Sequence, residues 1–324
     1  MLETETVLDR RRLRRSVSFW RGAGIAGLAL AVGAFAIGGN KLTALSGQKQ
    51  IARIAIEGTI TEDRDQLKML KDIAAADNVS GVLLYVNSPG GTTTGGEALF
   101  EGLREIAKKK PLVAQFGTVA ASAGYIVGLA SDHIVSRGNT ITGSIGVLVQ
   151  WPEVTQLLDK IGVKVNEIKS GVLKASPSPF EPLNEGARKV TEGMVNDGFK
   201  WFLSLVETRR GIKPADVPGL MDGRIFSGRE ALEVKLVDQI GGEDEAVAWL
   251  KDEKKVDKDA KVVDWKPDSS FGPSFLGVKG IAALALGKIL GPEAADAARA
   301  LFPDHGISAY ALDGLVSVWH PYEK

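Results

Sequence analysis

The stretch LVAQFGTVAASAGYIVGL, residues 112–129, decides the fold. Its apolar start, residues 112–116, predicts a buried strand, and the apolar residues after Tyr125 predict a buried helix. Ser122 lies between them among alanines and glycines. Because small neighbours let the backbone approach a ligand closely, Ser122 is a candidate nucleophile at a strand-to-helix turn. The alternative is a serine that only caps an ordinary helix.

Strands and helices alternate on both sides of this stretch. Strands that alternate with helices favour parallel βαβ units with right-handed crossovers, so the predicted fold class is α/β. Short apolar runs predict the other strands at 51–56, 82–86, 134–135, 145–149 and 165–168, and helical patterns occupy 97–108, 152–161 and a long stretch past 182.

Composition excludes several classes of protein. The 324 residues include 40 Lys and Arg against 40 Asp and Glu. The chain therefore lacks the net positive charge that would favour a nucleic-acid partner. The absence of cysteine excludes disulfides, a thiolate nucleophile and a cysteine-ligated metal. We predict no metal site and no cofactor.

The N-terminus predicts a membrane anchor. Residues 1–21 form a basic leader with six arginines after residue 9, and residues 22–39 are uncharged. Eighteen helical residues span about 27 Å, close to the hydrocarbon core of a bilayer. The arginines predict a cytoplasmic leader and an extracytoplasmic body, that is, a single-pass protein of the bacterial inner membrane. A cleavable signal peptide ending near Ala36 and a buried soluble helix are the alternatives.

The rest of the chain divides by composition. We predict a linker at 40–50, the main domain at 51–250 and a charged connector at 251–275. The tail, residues 276–324, is rich in Ala and Leu near its start, and its apolar stretch at 281–290 is too short to span a membrane. Membrane-surface contact and subunit packing both remain open for it.

The motif NSPGG, residues 87–91, follows a predicted strand. Paired glycines there can point backbone N–H groups into a cleft, as an oxyanion hole requires. The alternative is a plain Pro-Gly turn before a helix. A serine nucleophile also needs a base, and the three histidines, His133, His305 and His320, are poorly placed for that role.

A lysine can serve as the base when an apolar setting favours its neutral form. Lys174 stands alone among small and apolar residues, unlike the clustered lysines elsewhere. Ser144, in the motif TGSIG, offers a hydroxyl that could orient the amine. Alone, each of these two residues also fits a purely structural role.

Six motifs in one order resemble the signal peptide peptidase A family, which comprises membrane-anchored serine peptidases of the Clp-protease/crotonase superfamily. The resemblance covers residues 51–250 and implies a Clp-protease/crotonase-like core of repeated βαβ units. The motifs are NSPGG (87–91), ASAGY (121–125), TGSIGV (142–147), SGVLK (170–174), DGRIFSG (222–228) and ALEVKLVDQIGG (231–242).

The resemblance also implies roles for single residues. Ser122 becomes the nucleophile, Lys174 the general base and Ser144 the residue that hydrogen-bonds the lysine, while the amides of Gly91 and Ala123 form the oxyanion hole. The family pattern has glycine where this chain has Lys235, just after a predicted helix.

The implied activity is endopeptidase cleavage of apolar peptides, such as signal peptides left in the membrane, or of unfolded polypeptides. The implied assembly is a homo-oligomeric ring in which serine and lysine come from neighbouring subunits. Two other functions stay open at this point. One is a crotonase-like acyl-CoA enzyme, against which an extracytoplasmic body argues, and the other is a catalytically silent, anchored peptide-binding scaffold.

Overall fold

The computed structural model describes residues 48–267 and 316–318. The predicted leader, the anchor at 22–39 and all but three residues of the tail lie outside the described residues. Across the described ranges, no helix is both long and apolar enough to cross a membrane.

The chain alternates strands and helices as predicted. The strands are β1 Gln50–Ile60, β2 Val79–Thr92, β3 Leu112–Ala121, β4 His133–Ser136, β5 Ile141–Gly143, β6 Ile225–Ser227, β7 Gln239–Ile240, β8 Lys261–Trp265 and β9 Val316–Val318. The helices are α1 Arg64–Ala75, α2 Thr93–Ala107, α3 Ala123–Gly128, α4 Thr155–Lys160, α5 Glu185–Arg210, α6 Gly228–Glu233 and α7 Glu243–Asp252, with 3₁₀ turns at Pro214–Asp216 and Leu220–Asp222.

The nine strands found in the described ranges join one sheet. Its main path runs β6-β5-β3-β2-β1-β8, with β4 beside β3 and β7, and β9 beside β2. The central pairs β1–β2, β2–β3, β1–β8 and β3–β4 are parallel, whereas β5–β6 and β2–β9 are antiparallel. The predicted parallel α/β core is therefore confirmed, with antiparallel additions at its margins.

The sheet is buried on both faces. Side chains of neighbouring strand residues point to opposite faces, and the two faces accordingly carry different clusters. The larger cluster includes Leu84 and Phe116 with buried residues of α1, α2 and α5. The smaller one joins Leu83 and Val113 to Leu250 of α7. Burial on both faces explains why the central strands read as nearly continuous apolar runs.

The long helix α5 has clear sequence signals at both ends. The Asn184 side chain accepts a hydrogen bond from the Ala187 amide, and Gly211 ends the helix in the left-handed conformation at φ 63°. Two apolar residues of this helix, Phe202 and Val206, are buried in the core. The long-helix prediction is confirmed.

Three expectations about elements were wrong or incomplete. The apolar runs at 145–149 and 165–168 form no strand, and the strand in that region is β5, at the preceding residues. The sheet also extends past the predicted end of the core at residue 250. Strand β8 pairs with β1, and Val256 and Ala260 are buried beside it, so the segment assigned to a connector contributes to the core.

Candidate active site

Ser122 lies where β3 ends and α3 begins. Its amide donates to the Gly143 carbonyl at 2.9 Å, which continues the β3–β5 pairing by one residue. Its backbone adopts φ 57° and ψ −121°, a conformation that is costly for any residue with a Cβ. The residue is 1% exposed. The surrounding structure therefore holds Ser122 in a strained turn between a strand and a helix.

Side chains from neighbouring strands hold the turn from both sides. The Thr140 hydroxyl donates to the Gly117 carbonyl at 2.6 Å, and the Thr142 hydroxyl donates to the Ala120 carbonyl at 2.7 Å. From β2, Asn87 Oδ1 accepts from the amides that follow Gly117, at 3.1 and 3.2 Å. Sequence reasoning missed these three roles, because register, not spacing along the chain, brings the residues together.

Close backbone packing fixes where α3 begins. A Cβ on Gly124 would lie 2.7 Å from the Ser88 carbonyl oxygen, so only glycine fits at this position. Residues 117–124, with the side chains that brace them, are called the serine corner below. Within the same motif, the Tyr125 hydroxyl donates to the Leu236 carbonyl at 2.7 Å, and burial raises the pKa of Tyr125. Tyr125 therefore stays protonated and has a structural role.

The NSPGG motif does not form the expected turn, because β2 continues through it to Thr92. Gly90 has φ 116°, and its amide donates to Ser88 Oγ at 3.1 Å. Gly91 pairs with Ile60 of β1 so closely that a Cβ would lie 1.9 Å from the Ile60 carbonyl oxygen. The motif is thus an extended edge next to the serine corner.

A cavity of about 360 Å³ opens on the serine corner. It contains two of the five predicted site residues, Ser122 and Ser144, and its walls are only slightly more apolar than polar. Ser144 also has a left-handed backbone, with φ 50°. Asp222 is the charged residue of the lining. The other lining residues are Ile145, Gly146, Val147, Leu148, Val195, Phe199, Met221 and Gly223.

A second cavity, of about 340 Å³, lies next to the first. The two share Val147, Leu148 and Val195, while Trp151 and Leu183 line only the second. The run at 145–149 that was predicted to be a strand thus supplies walls to both cavities. Together they form a mostly apolar cleft that leads away from Ser122.

Lys174 lies apart from this cleft within one chain. The residue is exposed and does not line the cavity that contains Ser122. It sits on tight turns, in which its amide donates to the Gly171 carbonyl at 3.0 Å and the Ser176 amide donates to the Leu173 carbonyl at 3.2 Å. The apolar enclosure expected for this lysine is therefore not provided by its own chain.

The segment around Lys174, residues 157–181, is unusually apolar for an exposed surface and is called the lysine segment below. Ile168 has a relative exposure of 105% and Val172 of 84%. Soluble surfaces rarely present such side chains together unless another molecule covers them. The other exposed apolar side chains of the segment are Leu157, Ile161, Val163, Val165, Leu173 and Phe180.

The histidine in the described residues is structural. The His133 ring stacks on Trp249 with centroids 4.8 Å apart, and its Nε2 lies 3.1 Å from Gln239 Oε1. His305 and His320 lie outside the described residues. Within the described ranges, no group of three or more acidic or histidine side chains could hold a metal ion.

The sequence matches two peptidase family profiles and several relatives that are named as proteases. The profile of Peptidase family S49 matches residues 104–257, and the Clp protease profile matches residues 45–140. A candidate protease of Synechocystis sp. is 34% identical over 206 residues, which cover 63% of this chain and 74% of that protein. A candidate signal peptide peptidase, SppA, of Enterococcus faecium is 36% identical over 249 residues, 72% of each chain. A candidate protease of Methanocaldococcus jannaschii is 36% identical over 187 residues, 58% of this chain and 60% of that protein.

Proposed function

This chain belongs to peptidase family S49, and from that premise we propose that it is a serine endopeptidase with a serine-lysine dyad. Ser122 is the nucleophile and Lys174 is the general base. Ser144 orients the lysine amine, and the amides of Gly91 and Ala123 stabilise the oxyanion.

One observation carries the proposal. Ser122 combines a strained backbone, braces from two neighbouring strands and a position on the wall of a cavity. A structural serine gains nothing from a backbone at φ 57° and ψ −121°, a sparsely populated conformation that costs about 1–3 kcal/mol. A nucleophile gains orientation from it, because its hydroxyl is presented to a bound substrate.

Lys174 differs from Lys169 in having no carboxylate partner among the described residues. A carboxylate partner would hold a lysine in its charged form, as at Lys169, whose ammonium contacts Glu167 at 2.7 Å and Glu181 at 2.8 Å. The hydrogen bonds that the Lys169 ammonium donates to these carboxylates raise the pKa of Lys169, which excludes it as the base. No carboxylate of the described residues pairs with Lys174.

A second subunit would complete the site. The lysine segment exposes apolar side chains that another copy of the chain could cover, and covering them would also remove Lys174 from water. We therefore place Ser122 and Lys174 of each working site on neighbouring subunits of a homo-oligomer, as in a ring. This arrangement accounts for the exposure of Lys174 within a single chain.

The reaction follows from these roles. The neutral lysine amine takes the proton of the Ser122 hydroxyl while the oxygen attacks the peptide carbonyl. The tetrahedral intermediate collapses to an acyl-enzyme when the lysine returns the proton to the leaving amine. Water, deprotonated in turn by the lysine, hydrolyses the ester and restores the serine. Activity should therefore rise with pH as the base loses its proton.

The apolar cleft favours apolar side chains next to the scissile bond. Its walls are aliphatic or aromatic over most of their residues, and burial of such a side chain gives about 25 cal/mol per Å². Remnant signal peptides in the inner membrane fit this chemistry, and unfolded polypeptides with apolar segments are further substrates. The anchor predicted at 22–39 would hold an extracytoplasmic catalytic domain at the same membrane.

Cleavage of a fluorogenic apolar signal-sequence peptide by the full-length chain tests the proposal. Ser122→Ala and Lys174→Ala should each abolish turnover. Ser131→Ala, which removes another buried serine hydroxyl, and Lys164→Ala, which removes an exposed lysine of the same segment, are the matched controls. Undiminished cleavage by either dyad variant would refute the dyad.

Mixing separates a shared site from a site within one chain. Assembly of Ser122→Ala chains with Lys174→Ala chains produces some sites that carry both intact residues only if the dyad spans subunits. Partial recovery of activity in the mixture is expected. A fluorophosphonate that labels wild type but not Ser122→Ala would distinguish a peptidase from a silent scaffold.

A further inference from the structure

The strand β9 occupies the edge that the proposed mechanism needs for substrate. Its residues 316–318 pair antiparallel with Gly90–Thr92 of β2, so that Val318 lies opposite Gly90 and Ser317 opposite Gly91. These are the only residues of the tail within the described part of the chain. The segment Gly90–Thr92 is called the peptide edge below.

The pairing pattern shows which side of β2 the tail strand takes. A strand has two hydrogen-bonding edges. On one of them β1 pairs with Gly90 and Gly91 through Thr59 and Ile60, so β9 must use the other.

Earlier along β2, before Gly90, the same side of the strand faces β3. There Ser88 pairs with Ala120, after which β3 no longer pairs with β2, stays paired with β5 up to Ala121, and turns at Ser122. The tail strand therefore takes the position that β3 vacates, directly beside the serine corner.

An open strand edge binds extended peptides. Its unpaired N–H and C=O groups accept a further strand through main-chain hydrogen bonds, which depend little on the sequence of the added strand. A peptide substrate whose carbonyl must reach Ser122 and the Gly91 amide needs this same edge. The tail and a substrate cannot both occupy it.

We propose that residues 316–318 act as an internal competitor that occupies the peptide edge and must leave before substrate binds. This inference rests on the proposed function, because it assumes that substrate is an extended peptide cleaved at Ser122. The competitor belongs to the same chain, so a contact of only three residues is favoured by a high effective concentration.

The main test removes the hydrogen-bonding capacity of the strand without removing the tail. The variant Val316→Pro/Ser317→Pro/Val318→Pro loses all three backbone N–H donors. The matched control, Val316→Thr/Val318→Thr, changes two side chains but keeps every N–H group and a high strand propensity. Relative to wild type, the proline variant should show KM about 3–10-fold lower with kcat unchanged, and the control should match wild type.

A binding measurement makes the result independent of catalysis. The measurement uses full-length chains that carry Ser122→Ala, with or without the three prolines in the tail. By fluorescence anisotropy, a fluorescein-labelled peptide of residues 312–322 should bind the chain with prolines at least about 3-fold more tightly than the chain with the unmodified tail. A scrambled peptide of the same composition gives the background.

The outcomes separate this inference from the proposed function. Equal peptide binding by the two chains overturns the inference, whatever the activity. An unchanged KM despite tighter peptide binding overturns competition with substrate. Absence of peptidase activity in every chain would refute the proposed function, while the anisotropy comparison would still decide whether the tail occupies the edge.

Discussion

The serine corner and the lysine segment contribute to one proposed site but differ in how far a single chain completes them. The corner is buried, and hydrogen bonds from β2 and β5 fix its backbone. The lysine segment leaves Ile168 and Val172 almost fully exposed. The contrast teaches that the sheet register can fix the backbone of the proposed nucleophile, whereas the proposed base would depend on contacts that one chain does not make.

The largest expected effect tests whether strain at the serine corner serves catalysis. Ser122→Ala and Ser122→Gly should both lower kcat/KM by about 10³-fold or more, because each removes the nucleophile. Only the glycine variant also relieves the left-handed backbone, so it should be about 1 kcal/mol more stable than Ser122→Ala. Urea denaturation measures the difference. Equal stability of the two variants would show that the turn is not strained.

The next effect tests whether the lysine segment is an interface. Ile168→Asp places a charge where a neighbouring subunit would cover an apolar side chain, so it should dissociate the oligomer and lower activity at least about 10-fold. Leu232→Asp, on α6, is the control at another exposed apolar position. Sedimentation velocity measures the assembly and circular dichroism the fold. An intact assembly with full activity would refute the interface.

A moderate effect is expected from substitutions in the cleft next to Ser122. Val147→Trp fills space in both cavities and should lower kcat/KM about 10-fold for peptides with a bulky apolar residue at the scissile bond, with a smaller effect for alanine. Val149→Trp is the matched control, because Val149 lines only the cavity away from Ser122. A loss that is the same for all peptides would argue against a specificity pocket.

Sequence patterns predicted the buried half of the molecule better than the exposed half. The run 112–116 became a central strand because both faces of the sheet are covered, so nearly every residue is apolar. The runs 145–149 and 165–168 look alike in sequence, but their side chains line a cavity or face outward. An apolar run predicts that its side chains are shielded from water, but it does not predict which part of the protein covers them.

The site shows the same division. Motifs led to Ser122 and Ser144 because small residues and glycines mark tight backbone positions, and both serines line one cavity. The hydrogen bonds of Asn87 and Thr142 to the serine corner were not predicted, because strand register determines which groups their side chains reach. The proximity of Lys174 to Ser122 could not follow from one sequence, because in the proposed arrangement it depends on packing between copies.

The smallest effect provides the reference for strain at Ser122. Lys235 has φ 62° just after α6, a left-handed position at which helices usually end in glycine. Lys235→Gly should stabilise the protein by about 1 kcal/mol and raise Tm by about 2–4 °C without changing activity. Glu233→Gly, inside the end of α6, should instead destabilise it by about as much.

Opposite signs at these two neighbouring positions would show that glycine helps only where the backbone is left-handed. Glycine at position 235 would then relieve strain and leave activity intact, whereas glycine at position 122 would relieve strain and abolish activity. If Lys235→Gly proved no more stable than wild type by differential scanning calorimetry, a positive φ alone would cost little in this fold. The φ of Ser122 would then lose its value as a sign of function, and only its ψ of −121° would set it apart.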